Sequence, residues 1–381
     1  MKFVLGVIVN PYAGMGGAVG LKGSDGAQIV ASARTLGARA HAGERVGRAL
    51  SALRSVDCMV LTAAGAMGAA SCEAAGIPAR VVYTPPGAQA GYAQATGARD
   101  TRAAVRAMLA GGAQLIVFGG GDGTARDVAE AMKEAGESGA VPVIGLPCGV
   151  KMYSGVFATS VQRGGELAAA CARGAFATHR VELLDLDEAS LRRDVPATRL
   201  YGEVLAPVDR LRMQASKANV PAASDSELDG ACLRYVREMV RDRLYIVGPG
   251  TTMARLCELA GVAGSRLGVD AIVNGDLAGR DLSERALLDL LARWPDAAIV
   301  VGVIGRQGCL FGRGNQPISA RVLARVPRER IDVIASLAKL TSLADGRLFV
   351  DTGDAGCDRR LEGAWRIRTG AARSVVMRVR L

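Results

Sequence analysis

The feature that most constrains the fold is a run of glycines placed between a buried strand and a helix. The apolar residues Leu115–Phe118 are followed at once by Gly-Gly-Gly-Asp-Gly-Thr (119–124), and a helical pattern begins at Ala125. Glycines accept positive φ angles and let backbone N–H groups approach a ligand with no Cβ in the way. The start of a helix adds unpaired N–H donors and a positive dipole end. This segment therefore predicts an anion site at the end of a strand.

Asp122 is the unusual member of this turn. Asp-Gly pairs are common in ordinary turns, so a structural role is the simplest interpretation of the pair in isolation. A carboxylate among phosphate-binding amides has a chemical purpose if it binds a metal ion or accepts a proton. Because the pair lies inside GGGDGT and directly after a buried strand, we favour the chemical interpretation and predict that Asp122 is catalytic.

Two further glycine loops follow predicted strands in the first 155 residues. Phe3–Val9 is a continuous β-branched run, typical of a strand buried on both faces of a parallel sheet, and it ends in NPYAGMGG (10–17). Val141–Leu146 ends in PCGVKM (147–152). Open α/β sheets bind ligands at the carboxyl ends of their strands, so these loops predict a nucleotide-phosphate site. Taken singly, each loop is also consistent with a plain glycine-rich connection.

Lysine is scarce, with only six among the 47 basic residues. Two of them, Lys22 and Lys151, lie in glycine-containing loops of the N-terminal half. A compact ammonium group suits a point contact with a phosphate, and chance placement is the alternative.

The order of elements predicts an α/β fold. Strands and helices alternate every 20–30 residues up to about residue 160, which indicates βαβ units and a parallel sheet. Short alternating segments from Thr178 indicate a β-rich region, and the α/β rhythm returns from Leu244. With 381 residues the chain is long enough for two domains. We predict a doubly wound, mostly parallel domain (1–160). A second domain (161–381) would contain the β-rich segment and further α/β units. Whether the chain of this second domain returns to pack on the first is left open.

Several classes of protein are disfavoured. The glycine loops match neither the Walker pattern nor the G-x-G-x-x-G dinucleotide fingerprint, and no G-x-S-x-G nucleophile elbow is present. Eight scattered cysteines and two histidines make a zinc site improbable. The net charge of +10 is dispersed and lacks interleaved aromatic residues, which argues against nucleic-acid binding. No apolar run approaches the ~20 residues of a membrane span, and no secretory signal is visible. We expect a cytoplasmic protein that does not bind membranes.

The motifs resemble those of one kinase superfamily. N-P-x-A-G-x-G after the first strand, G-G-D-G-T after a later one and then P-x-G-V-K-M are similar to the superfamily of NAD kinases, diacylglycerol and sphingosine kinases and 6-phosphofructokinases. More narrowly, the chain resembles the ATP-NAD kinase-like family, which includes a protein X found with acetoin-catabolism genes. That resemblance rests on NPYAGMGG, GLKGSDG, GGGDGTARD, GLPCGVKMYSGVFA, VGPGTTM, LGVDA, FGRGNQPIS and FVDTGD.

The resemblance implies a phosphoryl transfer site. It places the donor phosphates and Mg²⁺ at the GGGDGT turn, makes Asp122 the group that activates the acceptor hydroxyl, and assigns no metal ligand. The implied nucleotide- and phosphate-binding residues are Asn10, Gly14, Gly16, Lys22, Gly119, Gly120, Gly121, Gly123, Thr124 and Lys151. The Asn-Asp pair of lipid kinases is missing after Pro147, which argues against a lipid acceptor. The Asn-Glu/Asp motif with which NAD kinases bind the dinucleotide is also not evident.

Three hypotheses follow for function. The preferred one is a kinase that uses ATP, or inorganic polyphosphate, with Mg²⁺ to phosphorylate the 2′-hydroxyl of NAD⁺ and form NADP⁺. The second keeps this chemistry but takes another small hydroxylated metabolite, linked to acetoin catabolism, as acceptor. The third is a nucleotide-binding regulatory protein without turnover. Because NAD kinase relatives associate, the resemblance also implies a homo-oligomer.

Overall fold

The computed structural model describes residues 2–19, 27–86, 96–136, 140–149, 152, 154–174, 176–186, 198–209, 212–213, 226–304, 308–343 and 346–380. The chain divides into two compact units. The first contains residues 1–15 and 23–217, and the second contains residues 16–22 and 218–381. Each unit has its own sheet and its own apolar core.

The first unit is built on five parallel strands. They are β1 (Phe3–Val9), β2 (Cys58–Ala63), β3 (Ala79–Tyr83), β4 (Leu115–Gly120) and β5 (Val143–Pro147). Their order is β3-β2-β1-β4-β5, and every neighbouring pair is parallel. β4 and β5 are buried along their whole length, as their apolar sequences require. The strand order reverses between β1 and β4, and ligands of open α/β sheets bind at the carboxyl ends on either side of such a reversal.

Helices connect these strands and cover the sheet. They are α1 (Ala27–Thr35), α2 (Ala42–Leu50), α3 (Ala69–Ala74), α4 (Ala98–Ala110), α5 (Asp122–Glu134) and α6 (Val161–Arg173). α4 packs against α5, and α2 packs against both α3 and α6. Both groups contact the central strand β1, so helices and parallel sheet share one core. The predicted doubly wound α/β class is confirmed.

The β-rich segment predicted after residue 178 is an antiparallel hairpin. β6 (Thr178–Leu186) pairs with β7 (Thr198–Pro207), and side chains such as Val181, Leu183 and Val204 are buried in the core of the first unit. The hairpin therefore lies in the first compact unit. The sequence-based boundary after residue 160 falls inside this unit, because α6 and the hairpin are folded onto the same core.

The second unit contains a mixed sheet of nine strands. In chain order these are β8 (Leu244–Val247), β9 (Asp270–Val273), β10 (Asp276–Gly279), β11 (Ala297–Gly302), β12 (Cys309–Phe311), β13 (Ile331–Ile334), β14 (Leu348–Val350), β15 (Gly363–Arg368) and β16 (Ser374–Arg380). Their spatial order is β10-β9-β8-β11-β13-β15-β16-β14-β12. The central run β8-β11-β13-β15 is parallel, whereas β9, β10 and the β15–β16 pair are antiparallel.

Six α-helices formed by the described residues accompany this sheet. They are α7 (Ser226–Glu238), α8 (Thr251–Leu259), α9 (Glu284–Arg293), α10 (Ala320–Leu323), α11 (Leu337–Thr341) and α12 (Ala355–Leu361). α9 shows how the sequence specifies them. Ser283 caps its start by accepting a hydrogen bond from the Ala286 N–H (3.3 Å), and Leu287 and Leu291, one turn apart, are buried. The return of α/β units after Leu244 is therefore confirmed.

Candidate active site

The GGGDGT turn joins β4 directly to α5. β4 ends at Gly120 and α5 begins at Asp122, three residues before the start that the sequence pattern indicated. The reason is Gly121, which keeps an extended backbone (φ −119°, ψ −167°) while its carbonyl accepts the Ala125 N–H at 3.0 Å. Asp122 is therefore the first helical residue. A carboxylate in the first turn is favoured by the helix dipole.

The glycines of this turn serve close approach of neighbouring atoms, and they do not use the positive φ that glycine also permits. Positive φ is found at seventeen glycines of the described residues, and Gly119, Gly120, Gly121 and Gly123 are not among them. A Cβ on Gly120 would lie 2.4 Å from the Thr124 Cβ, and one on Gly119 would lie 2.3 Å from the Val46 Cγ2. Side chains at these positions would collide with the helix and with α2, so the strand-to-helix turn requires glycine.

The loop after β1 is bonded to this turn. The Asn10 N–H donates to the Gly119 carbonyl (2.9 Å), and the Asn10 Nδ2 donates to the Thr124 Oγ1 (3.0 Å). The Asn10 Oδ1 accepts the Tyr12 N–H at 3.1 Å. One side chain thus connects the loops that follow β1 and β4.

The segment after β5 completes the edge of the sheet. The N–H groups of Cys148 and Gly149 both donate to the Gly120 carbonyl at 3.0 Å. Gly14 has φ +77°, and a Cβ there would lie 2.2 Å from the Cys148 carbonyl oxygen. A Cβ on Gly149 would lie 2.7 Å from the Gly121 Cα. The three glycine loops predicted from the sequence therefore meet at the carboxyl ends of β1, β4 and β5.

Burial separates this edge into a rim and a floor. The partly exposed rim consists of Asn10, Gly14, Gly121, Gly123 and Gly149. The floor contains Asp122 and Thr124, which are 5% and 4% exposed. The N–H groups of Asn10 and Gly149 bond to the Gly119 and Gly120 carbonyls, so the rim amides that suit an anion are those of Gly14, Gly121 and Gly123. The last two lie at the start of a 13-residue helix. Donors of this kind fit the phosphate groups of a nucleotide.

The Asp122 carboxylate is held by a residue that sequence reasoning missed. Its Oδ1 accepts hydrogen bonds from the Ser154 hydroxyl (2.6 Å) and from the Ser154 N–H (3.1 Å). Ser154 lies seven residues beyond the end of β5 and is 1% exposed. It lies in the segment GLPCGVKMYSGVFA (145–158), but the motif does not reveal its role, which depends on where the chain after residue 153 meets α5.

Three further predicted site residues are Gly16, Lys22 and Lys151. The Gly16 carbonyl accepts the Val19 N–H at 3.3 Å, a local turn contact. Lys22 and Lys151 lie outside the described residues, and their suggested contacts with phosphate stay predictions. The catalytic and binding roles assigned to the remaining residues also stay predictions.

One ion pair adjoins the turn on the next helical turn of α5. The Arg126 Nη1 lies 3.2 Å from the Asp185 Oδ2 on β6, and its guanidinium lies 5.2 Å from the centre of the Tyr201 ring on β7. Burial lowers the pKa of Arg126, but the nearby carboxylates of Asp185 and Asp127 outweigh it and raise the pKa above its usual value. This pair attaches the β6–β7 hairpin to α5.

Among the residues that the structure describes, no group of three or more His, Cys, Asp or Glu side chains could hold a metal. Mg²⁺ is commonly bound by one or two protein oxygens together with substrate phosphates.

Two cavities lie away from the turn. One, of about 450 Å³, is lined by residues of α7, β13 and the β15–β16 hairpin, including Arg234 and Arg366. The other, of about 550 Å³, lies at the amino ends of β1 and β4 and is lined by Lys2, Asp57 and Gln114 among others. Neither includes a residue of the GGGDGT turn. The candidate site is therefore defined by the converging strand ends and their hydrogen bonds.

Comparison with known protein families agrees with this geometry. The model of the ATP-NAD kinase N-terminal domain matches residues 5–176, and that of the ATP-NAD kinase C-terminal domain matches residues 240–379. The chain belongs to the ATP-NAD kinase family. The resemblance recognised from the motifs is confirmed, and the protein is a kinase of the NAD kinase family. Searches of curated proteins and of solved structures found no match.

The two family matches cover most of both units. The GGGDGT turn and the loops after β1 and β5 lie in the N-terminal match, and the nine-stranded sheet lies in the C-terminal match apart from its last residue. β6, β7 and α7 fall between the two matches. None of the helices formed by the described residues is long and apolar enough to cross a membrane.

Proposed function

We propose that this protein of the ATP-NAD kinase family transfers the γ-phosphoryl group of ATP to the 2′-hydroxyl of NAD⁺ and forms NADP⁺. The observation that carries the proposal is the convergence of three strand-end loops around Asp122 at the reversal of strand order between β1 and β4. Backbone amides at the rim suit the donor phosphates, and a carboxylate lies just beneath them.

The proposed reaction is an in-line phosphoryl transfer. The 2′-oxygen of NAD⁺ forms a bond to the γ-phosphorus while the bond from that phosphorus to the bridging oxygen of ATP breaks. ADP leaves with the electron pair, and the hydroxyl proton passes to the Asp122 carboxylate. Such a reaction depends mainly on positioning and on stabilisation of negative charge.

Hydrogen bonds within the protein hold the groups that would position the phosphates. Asn10, in the loop after β1, is hydrogen-bonded to Thr124 and to the Gly119 carbonyl. These bonds fix the loop relative to the start of α5. Preorganised donors of this kind need no reorganisation as charge develops. A nucleotide-bound Mg²⁺ would neutralise charge on the phosphates.

A product assay tests the proposal. The purified protein is incubated with Mg²⁺, NAD⁺ and either ATP or inorganic polyphosphate, and NADP⁺ and ADP are quantified. NADP⁺ formed in equal amount to ADP supports the proposal. ADP released only with another hydroxylated acceptor would correct the acceptor, and a parallel panel of NADH, sugars and diols identifies it.

A second candidate function is favoured by one observation. Asp122 is 5% exposed and is hydrogen-bonded to Ser154, which also suits a structural carboxylate in a nucleotide-binding regulatory protein. Such a protein would show a higher melting temperature with ATP or NAD⁺ but would release no ADP with any acceptor. The same assay therefore separates the two functions.

Location and assembly belong to this proposal as well. All eight cysteines are free thiols, and seven of them are buried. Free thiols suit a reducing compartment, so we place the protein in the cytoplasm. The homo-oligomer implied by the resemblance is tested by sedimentation equilibrium.

A further inference from the structure

We propose that Ser154 is a positioning residue for Asp122 and that it fixes the carboxylate in the orientation needed to accept the proton. The inference rests on the proposed function and assigns a role to a residue for which the sequence motifs implied none. It also gives the β6–β7 hairpin a part in the site, because β6 positions Ser154.

The contact between the two side chains is direct and almost fully buried. The Ser154 hydroxyl lies 2.6 Å from the Asp122 Oδ1 and the Ser154 N–H lies 3.1 Å from the same atom. Ser154 is 1% exposed and Asp122 is 5% exposed. Hydrogen bonds from neutral donors to a carboxylate are short and about twice as strong as those between neutral groups. Two of them on one oxygen restrict rotation of the carboxylate.

Strand β6 determines where the Ser154 hydroxyl points. The Leu184 N–H donates to the Ser154 Oγ at 3.0 Å, and the Leu184 carbonyl lies 2.9 Å from the same oxygen. The next residue is bound to this strand too, since the Gly155 N–H donates to the Glu182 carbonyl at 3.1 Å. A hydroxyl that receives an N–H bond is a better donor. Its single proton is directed to the carboxylate, the stronger acceptor of the two.

The arrangement has a consequence for pH dependence. Hydrogen bonds to the charged form of an acid favour that form. Removal of the Ser154 hydroxyl should therefore extend protonation of Asp122 to higher pH and shift the acid limb of the activity profile upward.

Several charged side chains near α5 are paired with one another. Among the described residues of α5 and the elements packed against it, the pairs are Arg126 with Asp185 (3.2 Å) and Tyr201 (5.2 Å), Arg102 with Asp127 (3.5 Å) and Glu130 (3.1 Å), Arg106 with Glu134, Arg180 with Glu203 (3.9 Å), and Tyr83 with Asp100 (2.8 Å). None of these contacts includes Ser154. A shift of the acid limb in a Ser154 variant is thus assigned to Asp122.

The kinetic test compares Ser154→Ala with the matched control Ser160→Ala. Ser160 caps α6 by accepting the Arg163 N–H at 3.1 Å and is also a serine of the first unit. We expect Ser154→Ala to lower kcat by about 10–100-fold with the KM for ATP within about threefold, and to move the acid limb up by about one pH unit. Ser160→Ala should lower the melting temperature and leave both kinetic quantities unchanged.

A conservative variant separates positioning from folding. The thiol of Ser154→Cys is nearly isosteric with the hydroxyl but is a weak hydrogen-bond donor. We expect its kcat and its acid limb to lie between those of the wild type and Ser154→Ala, with a melting temperature close to that of the wild type.

A readout independent of turnover is a double-mutant cycle on melting temperature. Ser154→Ala and Asp122→Ala each remove one partner, so the double variant should lose less than the sum of the single losses, by about 3 °C or more. If the wild type forms no NADP⁺, the proposed function fails, and this coupling alone decides whether Ser154 holds Asp122.

The outcomes are distinct. Coupling together with the kcat loss and the shifted acid limb supports the proposal. Additive losses would overturn it. Coupling with a wild-type acid limb and wild-type kcat in folded Ser154→Ala would also overturn it, because the pair would then serve folding only.

Discussion

Each unit contains a buried aspartate bonded to a serine beside a strand–glycine–helix turn, and the two pairs differ in how they are built. In the first unit Asp122 opens α5, and its partner Ser154 is 32 residues away in sequence. In the second unit Asp270 opens β9, and its partner Ser265 is only five residues away. The first pair joins distant segments, whereas the second stabilises a local turn.

The surroundings of Asp270 show a carboxylate committed to structure. It is 1% exposed and accepts hydrogen bonds from the Ser265 N–H (2.5 Å), the Ser265 hydroxyl (3.0 Å) and the Asp281 N–H (2.9 Å). The neighbouring GPGTT turn places Gly250 before α8, and its N–H donates to the Arg266 carbonyl. No carboxylate stands in the first turn of α8, which begins Thr-Thr-Met. A glycine turn before a helix is therefore common to both units, and the acid at the helix start distinguishes the first.

The largest expected effect comes from exchanging the two acids for their amides. Asp122→Asn should lower kcat for NADP⁺ formation by at least about 10²–10³, since it removes the proton acceptor and a charge at the phosphates. Asp270→Asn should keep kcat within about twofold of the wild type. Steady-state assays on folded proteins, checked by circular dichroism, measure both. Near-normal turnover in folded Asp122→Asn would remove the proposed mechanism.

A second comparison concerns two glycines with positive φ. Gly14 (φ +77°) faces the Cys148 carbonyl, whereas a Cβ on Gly250 (φ +116°) would find nothing within 4 Å. Both alanine variants carry the strain of a positive φ, and Gly14→Ala adds a close contact that Gly250→Ala lacks. We expect Gly14→Ala to reduce the free energy of unfolding by about 1–3 kcal/mol more than Gly250→Ala. It should also reduce NADP⁺ formation at least about tenfold.

Urea denaturation and the product assay measure these two effects. Equal losses of stability in the two glycine variants would show that the close approach of Gly14 to Cys148 makes no measurable contribution to the free energy of unfolding. Only the Asp122 and Asp270 variants would then distinguish the GGGDGT turn from the GPGTT turn.

The smallest expected effect is a pH dependence specific to the second unit. Burial raises the pKa of Asp270 above 3.8, against the opposing hydrogen bonds from Asp281 and Ser265. The folded state therefore holds this proton more tightly than the unfolded state. The stabilisation is complete below the unfolded pKa and is lost as pH rises through the folded pKa.

Urea titrations at a series of pH values from the unfolded pKa upward measure this effect. Asp270→Asn should flatten the decline in unfolding free energy, because an amide does not titrate. Asp122→Asn serves as the control and should retain it. If the unfolding free energy of Asp270→Asn declines with pH as steeply as that of the wild type, other titrating groups cause the decline.

Much of the candidate site could be predicted from the order of residues. Glycine-rich segments directly after the apolar runs Phe3–Val9, Leu115–Phe118 and Val141–Leu146 predicted loops at the carboxyl edge of a parallel sheet, and three such loops meet there. The motifs within them also predicted the family. The start of α5 was placed three residues late, because the extended backbone of Gly121 that lets the helix begin at Asp122 has no sequence signal.

The sequence by itself determined the two α/β units, the strand ends that carry glycine, and the acid at position 122, since each depends on local periodicity and residue type. Tertiary structure decided that Asn10 meets Thr124, that the β6–β7 hairpin is folded onto the first core, and that Ser154 meets Asp122. These contacts join residues between 30 and 114 positions apart. Such pairings follow from packing of the whole core, and no local pattern encodes them.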